Sequence, residues 1–327
     1  MNMANSAARR RLSGKVAVIT GSGRGIGRCE ALSLSREGAK IVVNDIGIDE
    51  NIPRAELVVN EIRAEGGEAV FSQHDISTAA GAEAMIATGV DAFDGVDILI
   101  NNAGMRAGGG IAEISEEDWG MVIDSHLKAS WLTTKFVIPQ FRRRGGGLII
   151  NTGSEAGLGM PFNGAYAAAK EGIAGLTRTV ARELGNERIR CNMILPRATI
   201  NTGGGKWSSE EHAKMLPVLE ALGPYWLGNR GHTLKLNDLF DPDHVGQFVA
   251  WLCTDAASNV NGASFYVGGN EIGILSEPDV VRAIVRPGEW TVEEYDCFGR
   301  QLIAEQRDRF LVRVLSDHSG TYAQELK

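Results

Sequence analysis

The sequence predicts an α/β protein: a doubly wound parallel sheet with helices on both faces. Three observations lead there. Short β-branched runs alternate with longer helical patterns over residues 15–200. The runs are almost continuously apolar, as expected for strands buried on both faces. A glycine-rich turn joins the first run to the first helical pattern. Such alternation suits parallel strands, which need a crossover between them, usually a helix.

Strands are expected at Val16–Thr20, Ile41–Asp45, Ala69–Ser72, Ile98–Asn101, Leu148–Thr152 and Ile189–Ile194. Helices are expected between them at Ile26–Glu37, Arg54–Glu65, Thr78–Phe93, Ser115–Arg143 and Tyr166–Leu184. Gly38, Gly66 and Gly185 follow helices, where a left-handed cap suits glycine. Ser115-Glu116-Glu117-Asp118 has an N-cap serine and an acidic first turn. From Pro196 the pattern breaks. Residues 197–241 hold glycine clusters, Trp207, Tyr225 and Trp226, with no clear strand. A helix at Pro242–Thr254, with proline in its first turn, and a strand at Ser264–Val267 follow. Residues 271–327 form a charged extension with two helix-like stretches.

The chain has 327 residues, 43% of them hydrophobic, and a net charge of −8. That hydrophobic content is enough for a full core. The acidic balance argues against nucleic-acid binding. No apolar run is long enough to span a membrane, and the Arg9-Arg10-Arg11 arm lacks the apolar stretch of a secretory signal. Cys29, Cys191, Cys253 and Cys297 are widely spaced, so neither a metal site nor a disulfide framework is expected. A reducing, cytoplasmic setting fits.

Val16–Thr20 runs into Gly21-Ser22-Gly23-Arg24-Gly25-Ile26-Gly27 and then a helix. Glycines suit a backbone that turns sharply and touches a pyrophosphate, and the helix N-terminus offers unpaired N–H groups to phosphate. Asp45 follows at the end of the second strand. A carboxylate roughly 20 residues past such a loop accepts hydrogen bonds from an adenosine ribose. It also repels a 2′-phosphate, so NAD is expected rather than NADP; Arg24 is the counter-signal. Tyr166 and Lys170 are four apart on a helix, hence on one face. An ammonium stabilises a phenolate, so this tyrosine is a candidate acid–base.

Together these residues resemble the short-chain dehydrogenase/reductase family. Thr20-Gly21-x-x-x-Gly25-x-Gly27, Asp75-Ile76, Asn101-Asn102-Ala103-Gly104, Ser154, Tyr166 and Lys170 follow its motifs in order, over roughly residues 13–270. Val43-Asn44-Asp45-Ile46-Gly47, His126-Leu127-Lys128, Trp251-Leu252-Cys253 and Ala283-Ile284-Val285-Arg286 look more specifically like the hydroxyacyl-CoA dehydrogenase part of type 2 peroxisomal multifunctional enzymes. The resemblance implies a Rossmann-type domain over 13–270, with a substrate lid at 197–241. A disordered arm (1–12) would precede it, and a C-terminal extension (271–327) would pack on the core or a partner subunit. It implies hydride transfer between nicotinamide and a secondary alcohol or ketone. The substrate would be a 3-hydroxyacyl-CoA or, alternatively, a hydroxysteroid or other alicyclic alcohol. Tyr166 would be the acid–base, Lys170 would lower its pKa and hold the nicotinamide ribose, and Ser154 would bind the substrate oxygen. Gly21, Ser22, Arg24, Gly25, Ile26, Gly27 and Asp45 would hold the adenosine and phosphates. Asp75 and Ile76 would contact adenine; Asn102, Ala103 and Gly104 would line the channel; Ile200 and Thr202 would meet the nicotinamide. A homodimer or homotetramer is implied.

Three departures from that pattern stand out. Ser154 lies one residue closer to Tyr166 than is usual. His126 replaces an asparagine; a buried, hydrogen-bonded histidine and a catalytic one are both open readings. Pro196-Arg197 stands where Pro-Gly is usual. Met160, Phe162, Trp207, Tyr225, Trp226 and Leu227 are candidates for a greasy substrate wall or for lid packing. Arg106 and Arg142–Arg144 are candidates for a CoA or carrier phosphate, the latter run equally for a helix end. Trp119 and Trp131 suggest core or subunit contact. A non-catalytic NAD sensor is a rival disfavoured by the Tyr166–Lys170–Ser154 set. A sugar-nucleotide epimerase of the extended type is disfavoured by the loop spacing.

Overall fold

A computed structural model describes residues 10–198, 241–269 and 271–276, with isolated positions from 278 to 293. The chain divides into two compact units, residues 1–208 with 235–275, and residues 209–234 with 276–327. The described residues belong almost wholly to the first.

In that unit the alternation predicted by sequence is present. The elements run β1 (Val16–Thr20), α1 (Gly25–Arg36), β2 (Lys40–Asn44), β3 (Ile48–Asp49), β4 (Ile52–Pro53), α2 (Arg54–Ala64), β5 (Ala69–Ser72), α3 (Ala79–Phe93), β6 (Ile98–Asn101) and α4 (Glu116–Ile123). A π-helical turn at Asp124–Lys128 leads into α5 (Ala129–Arg144), then β7 (Gly147–Thr152), α6 (Gly164–Leu184), β8 (Ile189–Arg197), α7 (Pro242–Leu252), β9 (Ser264–Gly268) and β10 (Glu271–Ile274). The main sheet has the order β10-β9-β8-β7-β6-β1-β2-β5. All its pairings are parallel except β10 with β9.

Alternate residues of each strand enter opposite cores. Ala17, Ile19, Ile41 and Ile100 pack with α1, α2 and α7. Val18, Val42, Leu99 and Ile149 pack with α3, α5 and α6. Each such buried aliphatic side chain contributes roughly 1.5–3 kcal/mol by leaving water. Helices α1 and α7 approach so closely that a Cβ at Gly246 would lie 2.5 Å from the Cys29 carbonyl oxygen.

Several expectations need correction. The long helix from Ser115 does begin at a capping serine, whose hydroxyl accepts from the Asp118 N–H, but it is interrupted by the π turn. Gly185 is right-handed (φ −58) because the helix tightens into a 3-10 turn; the left-handed residue is Arg188 (φ 59). Gly38 and Gly66 are left-handed as expected. The hairpin β3–β4 was not foreseen. Its two-residue turn uses Glu50 and Asn51, both with positive φ, the geometry that matches strand twist. Strand β8 runs three residues past Ile194, held between β7 and β9. At the N-terminus, residues 10–12 belong to the packed unit rather than to a loose arm: Leu12 is 1% exposed and Arg11 pairs with Glu37 at 2.6 Å. At the other end, β10 carries the sheet beyond residue 270. The remainder of the lid and tail expectations lies outside the described residues.

Candidate active site

Strand order reverses between β1 and β6, the two neighbours whose connections run to opposite edges of the sheet. In open α/β sheets a crevice forms at such a switch point, beyond the strands' carboxyl ends. A cavity of about 660 Å³ lies here, lined by the β1–α1 turn and by residues that follow β2, β5, β6, β7 and β8.

The β1–α1 turn is held by its own chemistry. Gly21 and Gly25 take positive φ. A Cβ on Gly27 would sit 2.5 Å from the Asn102 amide nitrogen. That amide donates to the Thr20 and Gly21 carbonyls, at 3.1 and 3.0 Å. The Thr20 hydroxyl accepts from the Asn102 and Ala103 N–H groups. Helix α1 has no side-chain cap at Arg24, so its first N–H groups remain for a ligand. This suits a dinucleotide pyrophosphate. Gly21, Arg24, Gly25 and Ile26 line the cavity. Ser22 does not: it is fully buried, donates to the Ile19 carbonyl and accepts from the Asn44 N–H. Ser22 and Gly27 therefore shape the turn from behind, and neither residue lines the cavity.

Asp45 lines the same cavity, with one carboxylate oxygen accepting from the Gly23 N–H at 3.1 Å and the other from Gly47 at 2.7 Å. Asp75, Ile76, Asn102, Ala103 and Gly104 line it too. Ile200 and Thr202 lie outside the described residues.

The reacting cluster gathers at the other members of the wall. Tyr166 opens α6, and Lys170 sits one turn on, 3% exposed, donating to the Thr152 carbonyl at 2.5 Å. Its ammonium lies 5.4 Å from the Tyr166 ring centre. Burial works to raise the Tyr166 pKa, but the charges of Lys170 and Arg106 and hydrogen bonds with Ser154 and Arg106 prevail and lower it. Burial likewise lowers the Lys170 pKa. Ser154 accepts from the Ala156 N–H at the start of a short 3-10 turn.

His126 lies in the π turn, its ring edge-to-face with Tyr166 at 5.1 Å. Its Nε2 is 2.9 Å from the Met105 carbonyl. A carbonyl only accepts, so Nε2 carries the proton and Nδ1 is left a bare acceptor. Nδ1 is buried and has no partner among the described residues. Burial, then the charge of Lys170, holds the ring neutral, well below the usual histidine range. A Cβ on Gly104 would fall inside the His126 ring.

The shortened loop and the unusual Arg197 meet each other. Arg197 pairs at 2.7 Å with Glu155, the residue after Ser154. Other flagged residues lie elsewhere. Met160 and Phe162 are outside the cavity wall, and the aromatic residues after 199 are outside the described residues. Arg142, Arg143 and Arg144 pair with Glu187, Asp94 and Asp97 and so anchor the end of α5. Trp119 and Trp131 are 37% and 47% exposed, hence not core. Sequence reasoning missed Thr152 and Arg54. The first acts through its backbone, which carries no side-chain signal; the second lines the cavity beside Asp45 because the unforeseen hairpin brings it there.

An uncapped helix at a glycine turn, a carboxylate after β2 and a lysine-tuned tyrosine define a nicotinamide-dependent oxidoreductase acting on CH–OH groups. The short chain dehydrogenase family matches residues 15–212, and the chain belongs to it. It is 37% identical over 316 residues to the hydroxyacyl-CoA dehydrogenase ChsB1 of Mycobacterium tuberculosis, covering 92% of this chain and 90% of that protein. It is 34% identical over 284 residues to the peroxisomal multifunctional enzyme type 2 of Mus musculus, covering 84% of this chain but only 34% of that longer protein. A solved 7α-hydroxysteroid dehydrogenase, complexed with NADH and 7-oxo glycochenodeoxycholic acid, superposes with a TM-score of 0.66 at 29% identity, covering 81% of this chain and 97% of that one. Among the described residues no helix is long and apolar enough to cross a membrane.

Proposed function

We propose that the protein is an NAD-dependent dehydrogenase of a 3-hydroxyacyl-CoA or a closely similar secondary alcohol. The carrying observation is a single cavity lined by both the Asp45 carboxylate and the Ser154–Tyr166–Lys170 cluster. Similarity to a hydroxyacyl-CoA dehydrogenase over nearly the whole chain supports the substrate class.

The bound nicotinamide supplies the two-electron acceptor or donor. The chain's own residues handle the proton and the geometry. Tyr166 takes the hydroxyl proton in oxidation and returns it in reduction. The Lys170 ammonium, anchored on the Thr152 carbonyl, lowers the phenol's pKa and would hold the nicotinamide ribose. Ser154 donates to the substrate oxygen as charge grows there. His126 is neutral and serves through the packing of its ring against Tyr166 rather than as a charged acid. Asp45 accepts from the adenosine ribose and disfavours a 2′-phosphate. Burial pushes the Cys29 and Cys191 thiols up to about 12, in keeping with inert thiols in a reducing cytoplasm. The exposed Trp119 and Trp131 suit a homodimer or homotetramer contact.

The test follows nicotinamide absorbance with NAD and then NADP. Medium-chain 3-hydroxyacyl-CoA thioesters are set against 3- and 17-hydroxysteroids, in parent and Tyr166→Phe proteins. Thioester turnover with NAD, lost in Tyr166→Phe, is the expected result. Turnover of steroids alone would support the second reading, a hydroxysteroid dehydrogenase, which the likeness to the solved steroid enzyme favours. Cofactor binding without turnover of any alcohol would leave a sensor.

A further inference from the structure

Arg106 is a cation at the reacting tyrosine that the mechanism above does not use. It stands in the loop after β6, exposed, on the wall of the cavity. Its guanidinium carbon is 5.4 Å from the Tyr166 ring centre, close enough for its charge to lower the phenol's pKa. Arg11, Arg28, Arg36, Arg54, Arg142 and Arg144 each lie against a carboxylate. Arg106 makes no such ion pair among the described residues.

We propose that Arg106 is a further catalytic residue, donating to the Tyr166 oxygen while that oxygen carries negative charge. In oxidation the substrate hydroxyl breaks its O–H bond and the proton goes to the phenolate, which becomes phenol. In reduction the same proton returns. A guanidinium favours the phenolate side of this exchange, because a hydrogen bond to a charged acceptor is stronger than one to a neutral acceptor. The groups facing the phenol are Lys170 on its own helix, His126 from the π turn, Ser154 after β7 and Arg106. His126 is neutral. Among the described residues no carboxylate shifts the phenol; Asp124 on the cavity wall pairs with Lys128 at 3.2 Å.

The proposal rests on Tyr166 being the acid–base, not on the identity of the substrate. Its test is a tyrosinate ultraviolet-absorbance titration of the full chain without cofactor or substrate. Arg106→Gln and Arg106→Lys proteins are compared with the parent, and each is referenced to its own Tyr166→Phe counterpart. Arg106→Gln should move the Tyr166 titration upward by about one pH unit, the lower end of what a nearby opposite charge gives. Arg106→Lys should move it less. The pH profile of kcat/KM for whichever alcohol is turned over should shift the same way. Thermal unfolding of each variant checks that the fold is intact. An unshifted Tyr166 titration in a folded Arg106→Gln protein would overturn the proposal. A shifted titration without thioester turnover would leave Arg106 standing and remove only the substrate class.

Discussion

Arg197, at the end of β8, and Glu155, beside Ser154, form an ion pair of 2.7 Å with side chains only 13% and 12% exposed. Two departures from the family pattern, a shortened serine loop and an arginine in place of glycine, are thus two halves of one contact. Arg197 also stacks over Tyr266, 5.5 Å from its ring centre. The bridge ties the serine loop to the carboxyl end of β8.

Removing one partner takes from the other a short, largely buried charge-assisted contact. Glu155→Gln or Arg197→Met should each cost on the order of 3 kcal/mol in denaturant unfolding. Each should also lower kcat, since Ser154 loses its neighbour's anchor. The double apolar variant Glu155→Leu/Arg197→Met should recover most of the stability. Single variants as stable as the parent would show that the pair is incidental.

Glu30 is fully buried in α1, and neither of its carboxylate oxygens has a partner among the described residues. Burial raises its pKa from the ordinary 4.5 to about 8. The folded state therefore holds a proton that the unfolded state releases above pH 4.5. Stability should fall as pH rises from about 4.5 to about 8, by up to ~1.4 kcal/mol per unit. Glu30→Met should remove this slope and stabilise the protein at pH 7. Unfolding curves at several pH values, parent against variant, read the difference.

Gly104→Ala would drive a methyl group into the His126 ring. Overpacking of this kind typically costs about 1–3 kcal/mol, and here it would displace the ring that abuts Tyr166. Activity should drop by at least tenfold. Gly104→Ala combined with His126→Ala opens the space again and should regain the stability. If the single variant keeps full activity, the ring is freer than its contacts imply.

Asp45→Asn keeps the side chain's shape and its acceptor for one backbone N–H, but removes the charge. The ratio of kcat/KM for NADP to that for NAD should rise at least tenfold, because Arg24 and Arg54 line the same cavity. An unchanged ratio would mean that the carboxylate does not govern the cofactor choice.

Much of this was readable before any coordinates. β1 and β6 match their expected bounds, because strands buried on both faces leave unbroken apolar runs; β5 matches too, although it is a half-buried edge strand. Tyr166, Lys170, Ser154 and Asp45 converge as their motifs imply. What escaped is non-local or carried by backbone. Ser22 looks like a loop ligand, yet its hydroxyl turns inward to Ile19 and Asn44. The π turn follows no sequence period distinct from a helix. The Arg197–Glu155 pair joins positions 42 apart, and neither residue type alone announces the other.

The π turn at Asp124–Lys128 has a consequence for how this site is related to simpler ones. A π turn is an α turn that has absorbed one additional residue. Deleting a residue within it would restore an ordinary helix and rotate everything before it by about 100° relative to α5. His126 would then leave Tyr166, and Ser125 would leave the Met105 N–H it now accepts. One codon lost is therefore enough to switch which face of this helix looks into the cavity, while α6, which carries the tyrosine and lysine, keeps its own register.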